Sequence, residues 1–189
     1  MPVSERWIHY KEVIRPNVKS GDLIFASGSF LASKIVQWKT KNAISHVGIV
    51  IRFDEIGRVF VLESIEEKGV RMIPLSKFLY DYMGDDKPYQ GRVLLARHKD
   101  LNIENFPKIV DFAANKLTYS YDNKEYLQIL WRLIRGHGKL DHNRAYTCSE
   151  LVHDCFQAAN IRLFYSKGFY ISPGDLWENE DVHEWGVMV

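Results

Sequence analysis

The chain is poor in most of the features that mark a special class of protein. Its 189 residues include two cysteines, six prolines and twelve glycines, too few for a disulfide-stapled, collagen-like or low-complexity chain. No uninterrupted apolar run approaches the roughly 18 residues a membrane-spanning helix needs. There is no internal repeat and no Gly-rich phosphate loop of the required spacing. Neither charge dominates: 25 basic against 24 acidic residues leave a net charge of +1, so the chain as a whole is not a polyanion binder and no nucleic-acid partner is expected. The first ten residues hold no apolar export segment, so the chain reads as cytoplasmic, although a leader removed beforehand would leave the same start.

What is present is the composition of one soluble globular domain spanning residues 1–189, with 46% hydrophobic and 26% charged residues. Residues 4–13 have a short helical pattern with Trp7, Ile8 and Val13 inward. Gly21–Ala26 reads as a strand, and Phe30–Trp38 as a helix whose buried face is Leu31, Ile35 and Trp38. Ser45–Phe53 and Arg58–Ser64 are two strands around the turn Asp54–Gly57, with a third strand at Gly69–Ile73. Pro74 suits the first residue of a short helix running to Tyr82. Arg92–Arg97 is a further strand. Helical patterns then cover Asn102–Lys116, Asn123–Arg135 and Thr147–Asn160, with a loop at Gly136–Asn143. The tail from Ile161 is aromatic and irregular, apart from a turn into a short helix at Ser172–Trp177. A meander of strands followed by helices predicts an α+β fold, an antiparallel sheet packed against helices.

Cys148 and Cys155 both fall on the helix at 147–160, about 10 Å apart, which rules out a bridge between them. Thr147 and Glu150 have capping-box spacing, so Thr147 is the expected N-cap and Cys148 the first helical residue. A thiolate there meets the positive end of the helix dipole and unpaired backbone N–H groups, a setting that favours a reactive thiolate and an oxyanion beside it. Taken alone, a half-buried structural cysteine is the commoner reason for such a residue. Cys155, deeper on the same face as Leu151, Val152 and Ala159, reads as such a filler.

A nucleophilic thiol needs a base. In the strand Ser45–Phe53 one face is Ser45, Val47, Ile49, Ile51 and Phe53, so His46 points the other way, beside Gly48, which leaves room for a close approach. If the hairpin turns over two or four central residues, Glu63 is the diagonal neighbour of His46 on that face. It would then orient the imidazole and stabilise its charged form. An odd turn length would put Glu63 on the other side, and a strand that ends early would leave it solvated.

The segments Gly21–Phe25, Ser45–Ile49, Leu62–Ser64, Gly69–Val70, Tyr121–Asp122, Tyr146–Val152 and Ser172–Leu176 occur in an order that resembles one family. It is that of the circularly permuted NlpC-type, papain-like cysteine hydrolases of the YiiX kind, related to the lecithin:retinol acyltransferase-like proteins. The resemblance implies a permuted papain-like fold in which the histidine strand precedes the cysteine helix. It further implies Cys148 as nucleophile, His46 as base, Glu63 as the polar third residue, and Tyr121 as a substrate-binding tyrosine. The long charged stretch from Lys124 to Arg144 departs from the family and puts transfer of a relative's substrate in question.

The expected activity is thiol-dependent hydrolysis of an amide in a peptide or peptidoglycan-like substrate. Two alternatives stand beside it: an acyl-lipid hydrolase or acyltransferase using the same residues, and a non-catalytic binding module. No cofactor is called for. His137, His142, Cys148, His153 and Cys155 invite a zinc reading, but their spacing matches no ligand pattern, so no metal is expected.

Overall fold

The computed structural model describes residues 3–29, 31–65, 68–120, 146–163 and 171–187. Six strands form one antiparallel sheet: β1 (Leu23–Gly28), β2 (His46–Phe53), β3 (Arg58–Ile65), β4 (Gly69–Pro74), β5 (Gly91–His98) and β6 (Val182–Val187). They lie in the order β4-β3-β2-β1-β5-β6. The first four are a plain meander, and β5 and β6 extend it on the far side of β1. All pairings are antiparallel, as expected of an α+β fold.

Both faces of the sheet are covered, because strand residues alternate between two apolar sets. Leu23, Phe25, Val47, Ile49 and Leu62 face one cluster. Into it pack Ile109 and Ala113 of the helix Phe106–Ala114, and Leu151, Val152, Cys155 and Phe156 of the cysteine helix, Cys148–Ala158. Ile24, Ala26, Val50, Val59 and Val61 face the other, where Leu75, Phe78 and Leu79 of the helix Leu75–Tyr80 join Tyr10 and Ile14. The cysteine helix lies across β2 and β3. The loop ends of those strands are therefore where a residue of the sheet can meet the start of that helix.

The structure corrects three expectations. The N-terminal helix, Val3–His9, continues through a π-helical turn, Tyr10–Ile14. Trp7, Ile8 and Val13 lie about half exposed, at 45%, 54% and 50%. The stripe Tyr10, Ile14 and Val18, at four-residue spacing, is the one that docks on the sheet. In the helix Leu31–Thr40, Trp38 is 76% exposed rather than inward; the helix is tied to β1 instead by Gln37, which donates to the Gly28 carbonyl. The tail after Trp177 is not irregular: it supplies β6, an edge strand on β5 with a register irregularity between Leu95 and Ala96. Its one-residue shift hides the alternation by which a strand is read from sequence. The helix Asn123–Arg135 and the loop Gly136–Asn143 lie outside the described residues.

The turn from β3 into β4 depends on Gly69. Its φ is +65°, and a Cβ there would run into the Tyr119 carbonyl oxygen, the acceptor for the Val70 amide. Gly69→Ala should therefore cost about 2 kcal/mol or more, from left-handed strain plus the clash. Urea unfolding monitored by circular dichroism will show this as a lowered midpoint; an unchanged midpoint would mean that the turn relaxes freely.

Candidate active site

The helix carrying Cys148 begins as the capping box predicts. The Thr147 hydroxyl accepts from the Glu150 amide at 3.3 Å, and the Glu150 carboxylate accepts from the Thr147 amide at 2.9 Å. Two of the first-turn donors are thereby used, and the Leu151 amide bonds the Thr147 carbonyl. Cys148 is the first helical residue and is partly exposed, whereas Cys155, deeper along the same face, is fully buried, and that burial pushes its thiol far up.

His46 is the first residue of β2. The turn Asp54–Gly57 has four residues, so β2 and β3 take the even-turn register, with Ile49 opposite Leu62 and Val50 opposite Val61. Glu63 is then diagonal to His46 on the same face, and the carboxylate Oε2 lies 2.7 Å from His46 Nε2. Gly48 sits between them without a side chain; a Cβ would come within 2.8 Å of Val61 Cγ1 and 2.9 Å of the Leu62 carbonyl. Glu63 is 0% exposed, which removes the solvated-strand-end alternative.

Among the described residues, three groups hold that buried carboxylate. His46 Nε2 and, at 3.2 Å, the Tyr82 hydroxyl donate to Oε2. Arg71 Nε donates to Oε1 at 2.8 Å. Burial alone would push Glu63 up, but His46 and Arg71 outweigh it and hold the carboxyl below its ordinary range. Glu63 is thus an anion and acceptor only, so Nε2 of His46 must carry its hydrogen. The other ring nitrogen, Nδ1, is left without a claim from Glu63, and Cys148 is the charge that acts on the imidazole most strongly.

Burial works against a charged imidazole, yet the Cys148 thiolate and then Glu63 reverse it and push His46 up to about 10. Behind the imidazole stands an aromatic wall. Phe78 stacks on it with centroids 6.3 Å apart, and Tyr82 and Tyr89 pack on Phe78 at 5.0 and 5.3 Å. Burial first, and then the Glu63 charge, raise both tyrosines, which stay protonated. On the opposite face of β3 the next residue, Ser64, donates to the Tyr146 carbonyl at 2.5 Å. Neighbouring residues of one strand thus hold the imidazole and the segment leading into Cys148.

Of the four residues singled out from sequence, Cys148, His46 and Glu63 come together, while Tyr121 lies outside the described residues. Arg71, Tyr82, Phe78 and Ser64 were missed. Arg71 was within reach, because the β3–β4 turn pairs Ile65 with Gly69 and so sets Arg71 directly opposite Glu63. Tyr82 carries no such signal; it arrives from a loop.

A cysteine at a helix start, a histidine on an adjoining sheet and a buried polar residue behind it make a papain-like arrangement. The chain matches, over residues 17–171, the model of the permuted papain-like amidase enzymes, the YaeF/YiiX, C92 family. It belongs to that family, whose members are cysteine peptidases and amidases, and it is an amide-bond hydrolase at that level. No curated protein sequence matches it. Among solved structures it is similar to one described as metalloprotein yiiX from Escherichia coli O157:H7. The TM-score is 0.65 with 19% identity over 89% of this chain and 96% of that one. Among the described residues no helix is long and apolar enough to cross a membrane.

The imidazole should report the pair directly. His46, raised in the folded protein, lends stability that is complete below its unfolded pKa near 6.5 and is lost as pH rises through about 10. Histidine NMR titration should find His46 cationic well above neutrality and should find its pKa lowered in Cys148→Ala, which removes the thiolate. Iodoacetamide should label Cys148 at least about tenfold faster than Cys155, and His46→Ala should slow only Cys148. Equal, sluggish labelling of both thiols would break the pairing of Cys148 with His46.

Proposed function

We propose that the protein cleaves an amide bond in a peptide or peptidoglycan-like substrate through a Cys148 acyl-enzyme, with His46 as base and acid. The observation that carries this reading is the imidazole fixed through Nε2 on a buried carboxylate, with Cys148, at a helix start, the charge that acts on it most strongly. His46 Nδ1 takes the thiol proton, and the Cys148 sulfur attacks the substrate carbonyl. The tetrahedral oxyanion rests on the Cys148 amide, one of the first-turn donors that a helix leaves without a carbonyl partner. As the C–N bond breaks, the imidazolium gives its proton to the departing amine. Water, losing a proton to Nδ1, then attacks the thioester, and the carboxylic acid leaves with the thiol restored.

An amide is favoured over an ester because an amine leaves only with a proton, and the surroundings of His46 raise the affinity of the imidazole for the proton it has to deliver. The YiiX neighbour is described as a metalloprotein. In this chain His98, Asp100 and Asp181 bring ligand atoms within 4.8 Å of one another. The set does not fit an ion as it stands. Lys99 Nζ lies 2.5 Å from Asp181, and His98 Nδ1 accepts the Asp100 amide at 3.2 Å. It also lies at the opposite sheet end from His46. No step here runs through a metal.

Quench and mass spectrometry with separate pools of peptide amides and acyl-lipid esters test the reading. The amide pool should acylate Cys148, and Cys148→Ala should carry no adduct. An adduct from lipid esters alone would replace the amidase by the acyl-lipid reading; none from either pool would leave a binding module. Glu63→Gln, which keeps the shape but not the charge, should lower kcat/KM on the order of 100-fold or more. Wild-type turnover in that variant would remove Glu63 from the site.

A further inference from the structure

Among the described residues Glu63 has two cationic neighbours, and only one of them changes charge during a thiol-hydrolase cycle. His46 is an imidazolium while Cys148 is a thiolate and becomes neutral once the sulfur is acylated and the amine has left with the proton. Arg71 is cationic throughout. It sits opposite Glu63 in the β3–β4 ladder, its side chain 16% exposed against a carboxylate that is fully buried. Its Nε is aligned on Oε1 at 2.8 Å, and its Nη2 stands 2.6 Å from the same oxygen without hydrogen-bond alignment. Its guanidinium lies over the Tyr82 ring at 5.2 Å. The pair is therefore clamped between strand and ring.

We propose that Arg71 is a positioning residue for the second half of the reaction: it keeps Glu63 an anion while Cys148 is acylated, and so leaves His46 Nδ1 free to take a proton from water. This rests on the cysteine-hydrolase reading above. With Arg71 present, a neutral imidazole beside anionic Glu63 leaves no net buried charge. Without it, that state holds a lone buried carboxylate, which is costly and is relieved by one more proton on the Glu63–His46 pair. The proton has two places to go, and both close Nδ1. An imidazolium is protonated on both nitrogens. A protonated Glu63 donates to Nε2, which leaves the imidazole hydrogen on Nδ1. Either way, the nitrogen that must accept from water already carries a hydrogen.

Among the described residues, the groups that bear on this proton come from several elements. They are His46 from β2, Arg71 from β4, Tyr82 and Tyr89 from the segment before β5, and Cys148 from the start of its helix. Both tyrosines stay protonated, so Arg71 is the one permanent cation among them.

The test has two arms. In Cys148→Ala protein, which presents a neutral group where the thiolate was, nitrogen-15 NMR of His46 follows loss of the Nδ1 hydrogen with pH. Adding Arg71→Met should raise that midpoint by about one pH unit or more, and Arg71→Lys should restore most of it. Arg71→Gln, which keeps a donor without charge, should behave as Arg71→Met and serves where the methionine variant does not fold. An unmoved midpoint in a folded charge-less variant overturns the proposal, whether or not the protein turns over any substrate. In the otherwise wild-type protein, with a peptide amide that acylates Cys148, Arg71→Met should slow deacylation more than acylation and accumulate acyl-enzyme at neutral pH. Its deacylation limb should move to higher pH. Equal loss of both half-reactions with an unchanged pH profile would mean a merely structural role.

Discussion

The buried carboxylate of Glu63 is the constraint to which the rest of the site answers. A charge withdrawn from water among Phe78, Tyr82 and Tyr89 is tolerated only when its lone pairs are used and its charge is matched. Here His46, Tyr82 and Arg71 do both. Removing one partner from such an assembly typically costs roughly 3–5 kcal/mol, because the remaining charge is left uncompensated. The same constraint fixes chemistry as well as stability. An anionic Glu63 leaves Nε2 as a donor, and that decides which nitrogen of His46 faces Cys148.

β3 is the element in which these demands meet. Three consecutive residues serve three purposes: Leu62 fills the core under the cysteine helix, Glu63 holds the imidazole on the other face, and Ser64 ties down the segment before Cys148. The alternation of a strand makes this possible, since neighbours point to opposite faces at fixed spacing. The nucleophile and the base come from different layers of the fold, yet one strand touches the supports of both. Gly48 completes the arrangement, because any side chain there would push β2 away from β3 between the imidazole and its carboxylate.

Much of the site is legible in the amino-acid order because it rests on local rules. Thr147 and Glu150 at capping-box spacing place Cys148 at a helix start, and the helix begins there. The even turn at Asp54–Gly57 places Glu63 diagonal to His46. Where such rules fail, a local pattern meets a non-local choice. Trp7, Ile8 and Val13 are apolar at helical spacing, but the stripe Tyr10, Ile14 and Val18 is the one that docks on the sheet. β6 is hidden because its ladder with β5 shifts register partway, breaking the alternation that identifies a strand.

The sequence by itself determined the pieces whose geometry is set within a few residues: the helix start under Cys148, the turn that faces Glu63 toward His46, and the burial of Cys155 further along the same helix face. Their rules run over hydrogen bonds and periods that close within a turn or a hairpin. Only the tertiary structure decided that Glu63 is buried, that Arg71 and Tyr82 complete its partners, and that Trp38 faces outward. Those outcomes depend on which layer covers which face, and on two strands and a loop arriving at one carboxylate. Long-range packing sets them, and no spacing along the chain encodes it.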